Sequence, residues 1–140
     1  KFSPTEFIES CKYYVGIHSP ITEAKKDKGY SEAWLHHKGR NKHHPEYWVD
    51  DIAPDKTPII PYKYAAEMIC DKMAAGMAYE KEKFSEQYEL DYWNKEKQYE
   101  KINPKTEQFV TAILEQAVEE GINKTFTKAN FRKNYEKYCK

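Results

Sequence analysis

The sequence has no apolar run of the roughly 18 residues that a membrane-spanning helix needs. Its first residues also lack the basic and apolar regions of a signal peptide. Net charge is absent too, because 23 Lys and Arg residues balance 23 Asp and Glu residues, so no overall field attracts nucleic acid or anionic lipid. We therefore expect a cytoplasmic protein that has no membrane partner, does not bind nucleic acid, and recognises its ligands at a local site.

Cysteine is scarce. The three cysteines, Cys11, Cys70 and Cys139, form an odd set at wide spacing, which excludes a regular disulfide framework. Two of them lie in apolar helical patterns, where a thiol acts as a small hydrophobic group. This use of cysteine is typical of a reducing compartment.

Strand signals are also missing, since no stretch alternates apolar and polar residues for long enough, whereas helix signals recur. In the motif Ser3-Pro4-Thr5-Glu6, the serine can cap a helix, the proline can take its first position and the glutamate can complete a capping box. The apolar residues that follow at helical spacing predict the inner face of this helix: Phe7, Ile8, Cys11, Tyr14 and Val15.

Similar signals predict further helices along the chain. They cover about residues 19–29, 31–37, 62–79, 80–102, 103–121 and 127–140. The helix at 62–79 is apolar on nearly every face and is expected at the centre, whereas the polar segment 80–102 is expected at the surface. We predict an all-α helical bundle with about six to seven helices, formed by residues 1–140 as a single domain.

Four of the five histidines lie within nine residues, as the doublets His36-His37 and His43-His44. Neutral imidazole is a common ligand of transition metals, so the cluster favours a metal site. A solvated polar turn is the alternative, and it is supported by the charged residues of the same segment: Lys38, Arg40, Lys42 and Glu46.

Asp71 adds a carboxylate to the argument. On a helical wheel it aligns with Tyr64, Met68, Ala75 and Ala78, where an unpaired charge would be costly to bury. A metal or another cation would compensate that cost. The alternative is an aspartate that pairs with a core Tyr or Lys, or that caps a neighbouring helix.

These motifs resemble those of the HD superfamily of metal-dependent phosphohydrolases, and most closely a bacterial and phage branch of it. The matching stretches are Lys1-Phe2-Ser3-Pro4, the segment 36–48, Cys70-Asp71 and, more weakly, Asn103-Pro104 with the helix after it. The resemblance implies an all-α fold that binds one or two divalent transition-metal ions, with Fe, Mn, Zn, Co and Ni as the candidates. The His-Asp doublet of the family does not occur in these 140 residues. In the family it would stand just before Lys1, which leaves two explanations: the sequence is incomplete at its N-terminus, or this member is degenerate. We expect the first, because the sequence does not begin with Met.

The resemblance also implies roles for single residues. His37, His43 and His44 are the preferred metal ligands together with Asp71, and His36 is the alternate from the first doublet. Adjacent helical residues point about 100° apart, so His36 and His37 are not expected to bind the same ion.

Residues around the ligands take other roles. Arg40 and Lys42 are candidates for holding a phosphate, and Lys1 matches a lysine that some HD proteins place near the substrate phosphate. Asn41 is expected to fix the turn between the doublets. Tyr47 and Trp48 are expected to be core anchors.

The function that follows is hydrolysis of a nucleotide or another small phosphate ester by a metal-activated water. The alternative is an inactive helical binding module that keeps a structural or regulatory metal. A third interpretation is that the aromatic and basic residues of 79–101 form a surface that binds nucleic acid or protein. Seven acidic residues in the same stretch neutralise it, which favours a solvated helix face instead: Glu80, Glu82, Glu86, Glu89, Asp91, Glu96 and Glu100.

Overall fold

A computed structural model describes residues 3–140, and in these residues it contains eight α-helices and no strand, which confirms the all-α prediction. The helices are α1 (Pro4–Lys12), α2 (Pro20–Lys28), α3 (Glu32–Arg40), α4 (Tyr62–Glu80), α5 (Glu86–Glu96), α6 (Pro104–Glu120), α7 (Ile122–Thr125) and α8 (Lys128–Cys139). Two 3-10 turns lie at Pro45–Trp48 and Lys81–Lys83. The short helix α7 was not among the predicted elements.

The chain divides into two compact units, the first ending at Lys42 and the second running from His43 to Lys140. The first unit contains α1, α2 and α3, and α1 packs against both of the others. Its helices begin close to the predicted starts, and the hydroxyls of Ser3, Ser19 and Ser31 cap them, since each accepts a backbone N–H of the first turn. The α2 helix ends at Gly29, whose φ of 83° is in the left-handed region that favours glycine.

The inner face of α1 differs from the prediction. Phe7 and Ile8 are 60% and 66% exposed, and the side chains turned inward belong to Glu6 and Glu9, each only 5% exposed. The predicted apolar stripe is therefore wrong as a core face. The reason lies in the partners of the two acids, which compensate for the cost of burying charge.

Glu9 shows this compensation most fully. Its carboxylate accepts hydrogen bonds from the Ser31 hydroxyl and from the backbone N–H groups of Glu32 and Ala33, and it pairs with Lys28 at 3.3 Å. A carboxylate at the N-terminus of a helix is favoured by the helix dipole. Burial alone would raise the pKa of Glu9, but these bonds outweigh it and the pKa is lowered from 4.5.

The second unit holds the apolar core. Helix α6 packs against α5, α7 and α8, and α4 adds a further layer. The fully buried side chains of this core include Ile60, Ile69, Trp93, Phe109, Val110, Ile113 and Leu114. The C-terminal helix joins this core, since Phe131 and Tyr135 are buried and the Tyr135 hydroxyl donates to the Ile60 carbonyl at 2.8 Å.

Two predictions about this unit are wrong in part. Helix α4 buries only one stripe, formed by Ala65, Met68, Ile69 and Met73, so it is not buried on every face. The segment 80–102 is partly internal, because Trp93 of α5 is fully buried. Its indole N–H donates to the Thr111 hydroxyl at 2.9 Å, which meets the polar requirement of a buried tryptophan.

Candidate metal centre

The second histidine doublet lies at the start of the second unit. His44 directly precedes the 3-10 turn Pro45–Trp48 and has an extended backbone, with φ −101° and ψ 135°. The rings of His43 and His44 have centroids 4.7 Å apart, and each ring offers one nitrogen within 4.8 Å of the other. Both side chains are half-buried, so two imidazole donors meet in a partly sheltered place.

Asp71 of α4 approaches this doublet from a position 28 residues further along the chain. Its Oδ2 atom lies 4.0 Å from Nε2 of His43. Asp71 is not buried as predicted, because its side chain is 55% exposed whereas that of His43 is 21% exposed. At about 100° per residue, Asp71 lies about 60° beyond Met68, the nearest member of the buried stripe of α4, and so outside that stripe.

Aromatic packing holds the doublet over α4. Trp48 packs against the core, and its ring lies 6.0 Å from that of Tyr64, a residue of α4. Tyr47 lies 5.2 Å from Trp48 and is 40% exposed. The structure thus confirms Trp48 as a core anchor, whereas Tyr47 lies at the edge. Asp71 belongs to the same helix as Tyr64, so the segment after the doublet packs against the helix that carries Asp71.

The first doublet lies in the first unit, on α3 as predicted. There a buried carboxylate faces both rings, because Nδ1 of His36 lies 3.0 Å from Oε1 of Glu6 and Nδ1 of His37 lies 3.7 Å from Oε2. The first distance is that of a hydrogen bond, and the second is that of a charge contact. The hydroxyl of Ser3 lies 3.1 Å from the same nitrogen of His36.

These contacts set the charge of Glu6. Burial raises the pKa of Glu6. The hydrogen bond from His36, the electrostatic interaction with His37 and the hydrogen bond with Ser3 together outweigh burial, so the pKa is lowered from 4.5. Glu6 is therefore an ionised carboxylate at neutral pH. An ionised carboxylate only accepts hydrogen bonds, so Nδ1 of His36 must donate to it.

The remaining predicted residues lie as follows. Asn41 donates to the carbonyl oxygen of His37 at 2.7 Å and lies 3.0 Å from Nδ1 of the same residue, which confirms its role in the turn. Arg40 is exposed, and its Nη1 atom lies 3.3 Å and 3.4 Å from the two ring nitrogens of His36. Lys42 is also exposed. Lys1, a candidate for contacting phosphate, lies outside the described residues.

Sequence reasoning missed the contribution of Glu6. Its position three residues after Ser3 indicated a capping box, but the structure uses only half of that motif. The Ser3 hydroxyl accepts the Glu6 N–H at 3.3 Å, whereas the Glu6 side chain turns to α3. A signal existed in the helical spacing, because Glu6 and Glu9 are three residues apart and so share a face.

Two imidazoles and one carboxylate within a single unit are a donor set that suits a divalent transition metal. Catalytic zinc sites, for example, use three protein ligands of these types and leave a fourth position for water. Ligand atoms that share one ion at bond lengths of roughly 2.1 Å lie about 3 to 3.5 Å apart. The 4.0 Å between His43 and Asp71 exceeds this range slightly, and the exposed Asp71 has room to close it.

The protein is thus an all-α protein with a histidine and carboxylate cluster on its second unit. Residues 1–116 match a family of unknown function, DUF5662, and the chain belongs to this family. No curated protein and no solved structure matches the chain. Within residues 3–140, none of the helices has both the length and the apolar character needed to cross a bilayer.

Proposed function

We propose that this protein is a metal-dependent phosphohydrolase that acts on a nucleotide or another small phosphate ester. The observation that carries the proposal is the 4.0 Å approach of Asp71 to His43, beside the neighbouring ring of His44. These residues belong to separate stretches of the chain, and both stretches occur in the motifs that resemble the HD superfamily.

His43, His44 and Asp71 are the proposed ligands within the second unit. The bound ion would lower the pKa of a coordinated water and neutralise charge on the phosphate. Neutral imidazole and carboxylate together suit Fe, Mn, Zn, Co and Ni, and one or two ions fit the proposal. Ligation by His36 or His37 of the first unit stays a prediction.

Cationic side chains have a separate task in such a reaction. Arg40 offers a planar fork of donors that matches phosphate oxygens, and it is exposed. Lys42 offers a second positive charge on an exposed side chain. The resemblance implies that these two side chains and Lys1 hold the substrate phosphate, and all three roles stay predictions.

The first test measures metal in the purified protein. We expect His43→Gln, His44→Gln and Asp71→Asn each to lower the bound metal at least tenfold, measured by calorimetric titration with Zn²⁺, Mn²⁺ and Co²⁺. The matched controls are His18→Gln and Asp55→Asn, which replace an exposed histidine and an exposed loop aspartate. Equal affinity in the ligand variants and their controls would remove the proposed centre.

The second test measures turnover. The metal-loaded protein is assayed on a panel of phosphomonoesters, phosphodiesters and nucleotides, and a metal-dependent release of phosphate or alcohol that disappears in Asp71→Asn supports the hydrolase. The second candidate is a binding module with a structural or regulatory metal, which the same three donors of the second unit would hold. Tight metal binding without turnover on any substrate would select that module.

A further inference from the structure

We propose that the exposed face of α8 is a docking surface for the phosphate backbone of a nucleic-acid duplex. The net charge of the whole chain is zero, which led us to expect no such partner, but the charge is unevenly distributed. Residues 121–140 contain six Lys and Arg residues and one Glu, a net charge of +5, whereas residues 1–120 contain 17 and 22, a net charge of −5. Such an asymmetry indicates a local surface for an anionic partner.

Helix α8 turns its basic side chains towards solvent. Its apolar residues Phe131, Tyr135 and Cys139 belong to the core of the second unit. The opposite side of the helix carries five exposed cations: Lys128, Arg132, Lys133, Lys137 and Lys140. Residues four apart on a helix lie one above the other, so Lys128 and Arg132 form one row and Lys133 and Lys137 form a second.

Four of these cations are available to a partner. Glu136 is the one acid of α8, and its carboxylate lies 3.5 Å from Nζ of Lys140, so it neutralises that lysine. The other four cations, in the two rows, take part in no ion pair with any residue of 3–140. Exposed charges without a fixed partner can bind phosphate without first breaking an internal contact.

Two contacts extend and order this surface. The guanidinium of Arg132 lies 3.9 Å from the centre of the Tyr62 ring, and this stacking limits the conformations of the Arg132 side chain. An ordered side chain loses less entropy on binding. The Cys139 thiol lies 3.5 Å from the carbonyl oxygen of Lys105, so the exposed Lys105 adds a further cation beside the last turn of α8.

The chemistry of the face favours nucleic acid over a membrane or an acidic protein. A helix that lies on a membrane inserts its apolar side, whereas the apolar side of α8 is occupied by the core. Protein interfaces are poor in lysine and depend on aromatic anchors, and none of the exposed residues of α8 is aromatic. A phosphate backbone requires only a row of cations, which α8 provides.

The contact should not depend on base sequence. Asn130 and Asn134 carry the amides of α8 that could read base edges, but both bond to Gln116 of α6, at 2.8 Å and 2.9 Å. The remaining exposed donors are lysines and one arginine, which suit phosphate oxygens. At a rise of about 1.5 Å per residue, the two rows extend over about 14 Å. A duplex carries one charge for about every 1.7 Å of its axis, so four cations can each meet a phosphate.

The first experiment measures fluorescence anisotropy of a labelled DNA duplex of about 20 base pairs with the full chain, in EDTA so that the proposed metal centre takes no part. We expect a Kd of roughly 1 to 100 µM at low salt, equal for unrelated sequences. With four phosphate contacts, the logarithm of the association constant should fall with the logarithm of salt concentration at a slope of about −3.6. Absence of binding at low salt would overturn the proposal and leave the proposed hydrolase function untouched.

The second experiment compares two double variants that change the net charge equally. Lys133→Gln with Lys137→Gln removes one row of α8, whereas Lys83→Gln with Lys95→Gln removes two exposed lysines elsewhere in the second unit. We expect the first pair to weaken binding about tenfold and to reduce the salt slope by about 2, and the control pair to retain wild-type affinity. Equal losses would refute the assignment to α8, because they would show a response to net charge alone.

The third experiment tests the class of partner. Vesicles that contain phosphatidylserine and a polyglutamate peptide are added as competitors to the bound duplex. We expect neither to displace the duplex at equal concentration of negative charge. Displacement by vesicles would assign the surface to a membrane, displacement by the peptide would assign it to an acidic protein, and either result would overturn the proposal.

Discussion

Glu89 of α5 makes the stability of the second unit depend on pH. It is 4% exposed, and a Cβ built on Gly76 of α4 would meet its carboxyl group, so it lies close against that helix. Burial raises its pKa to about 7, although the charge of Lys72 acts in the opposite direction, and Glu96 raises the pKa further. Glu89 therefore keeps its proton in the folded state where the unfolded chain has lost it.

The size of the effect follows from the two pKa values. A change from 4.5 to about 7 corresponds to about 3 kcal/mol, at 1.36 kcal/mol for each pKa unit. Between these values the folded state binds one more proton than the unfolded state, so the free energy of unfolding falls as the pH rises from 4.5 to 7. The contribution is fully present below pH 4.5 and is lost above pH 7.

Glu89→Gln should remove this dependence, because the amide keeps the shape of the side chain and never ionises. We expect the variant to be more stable than the wild type at pH 8 by up to about 3 kcal/mol, with a smaller difference at pH 5. Urea unfolding followed by tryptophan fluorescence measures this, since Trp93 is fully buried in the same unit. The variant still keeps a slope from Glu100, whose pKa is raised to about 7 by burial and by Glu46 and Glu96.

Glu119→Gln, which replaces an exposed glutamate on α6, is the control for the change in net charge. The reasoning is refuted if Glu89→Gln and Glu119→Gln show the same change of stability between pH 5 and pH 8.

Two further predictions concern packing and acid. Gly76→Ala should destabilise the protein by about 1 to 2 kcal/mol in urea unfolding, because the new Cβ would meet Glu89 and lie 3.0 Å from the Phe84 ring. Gly39→Ala in α3 meets nothing within 4 Å and should instead stabilise by up to about 1 kcal/mol, so equal effects would contradict this. The first unit should lose stability as the pH falls below 4.5, because Glu6 and Glu9 have lowered pKa values. Amide exchange of α1 at pH 3.5 and pH 6 tests this, and unchanged protection would refute it.

The helix starts could be predicted because their signals are local. Ser3, Ser31, Asn103 and Thr127 each cap a helix within three residues of themselves, so sequence and geometry coincide. The same holds for the first histidine doublet, whose placement on α3 depends on neighbouring residues.

The buried faces could not be predicted in the same way. Periodicity tells which residues of α1 share a face, but not which face meets another helix. Glu6 and Glu9 are buried because of His36 and Ser31, which lie 30 and 22 residues further along the chain. The burial of Asp71 was predicted wrongly for a related reason. Helix α4 is so apolar that a helical wheel does not show which of its stripes becomes the core.

The two units use buried carboxyl groups in opposite ways. Glu6 and Glu9 have hydrogen-bond and charge partners that lower their pKa values, so each is charged at neutral pH, where it binds α3 from α1. Glu89 has Lys72 near it but no hydrogen bond from any residue in 3–140, so burial favours its neutral form. Acid should therefore weaken the first unit and strengthen the second. Because His36 depends on Glu6 whereas His43 and Asp71 lie in the second unit, a fall in pH should disturb the first doublet while the scaffold of the proposed metal centre stays folded.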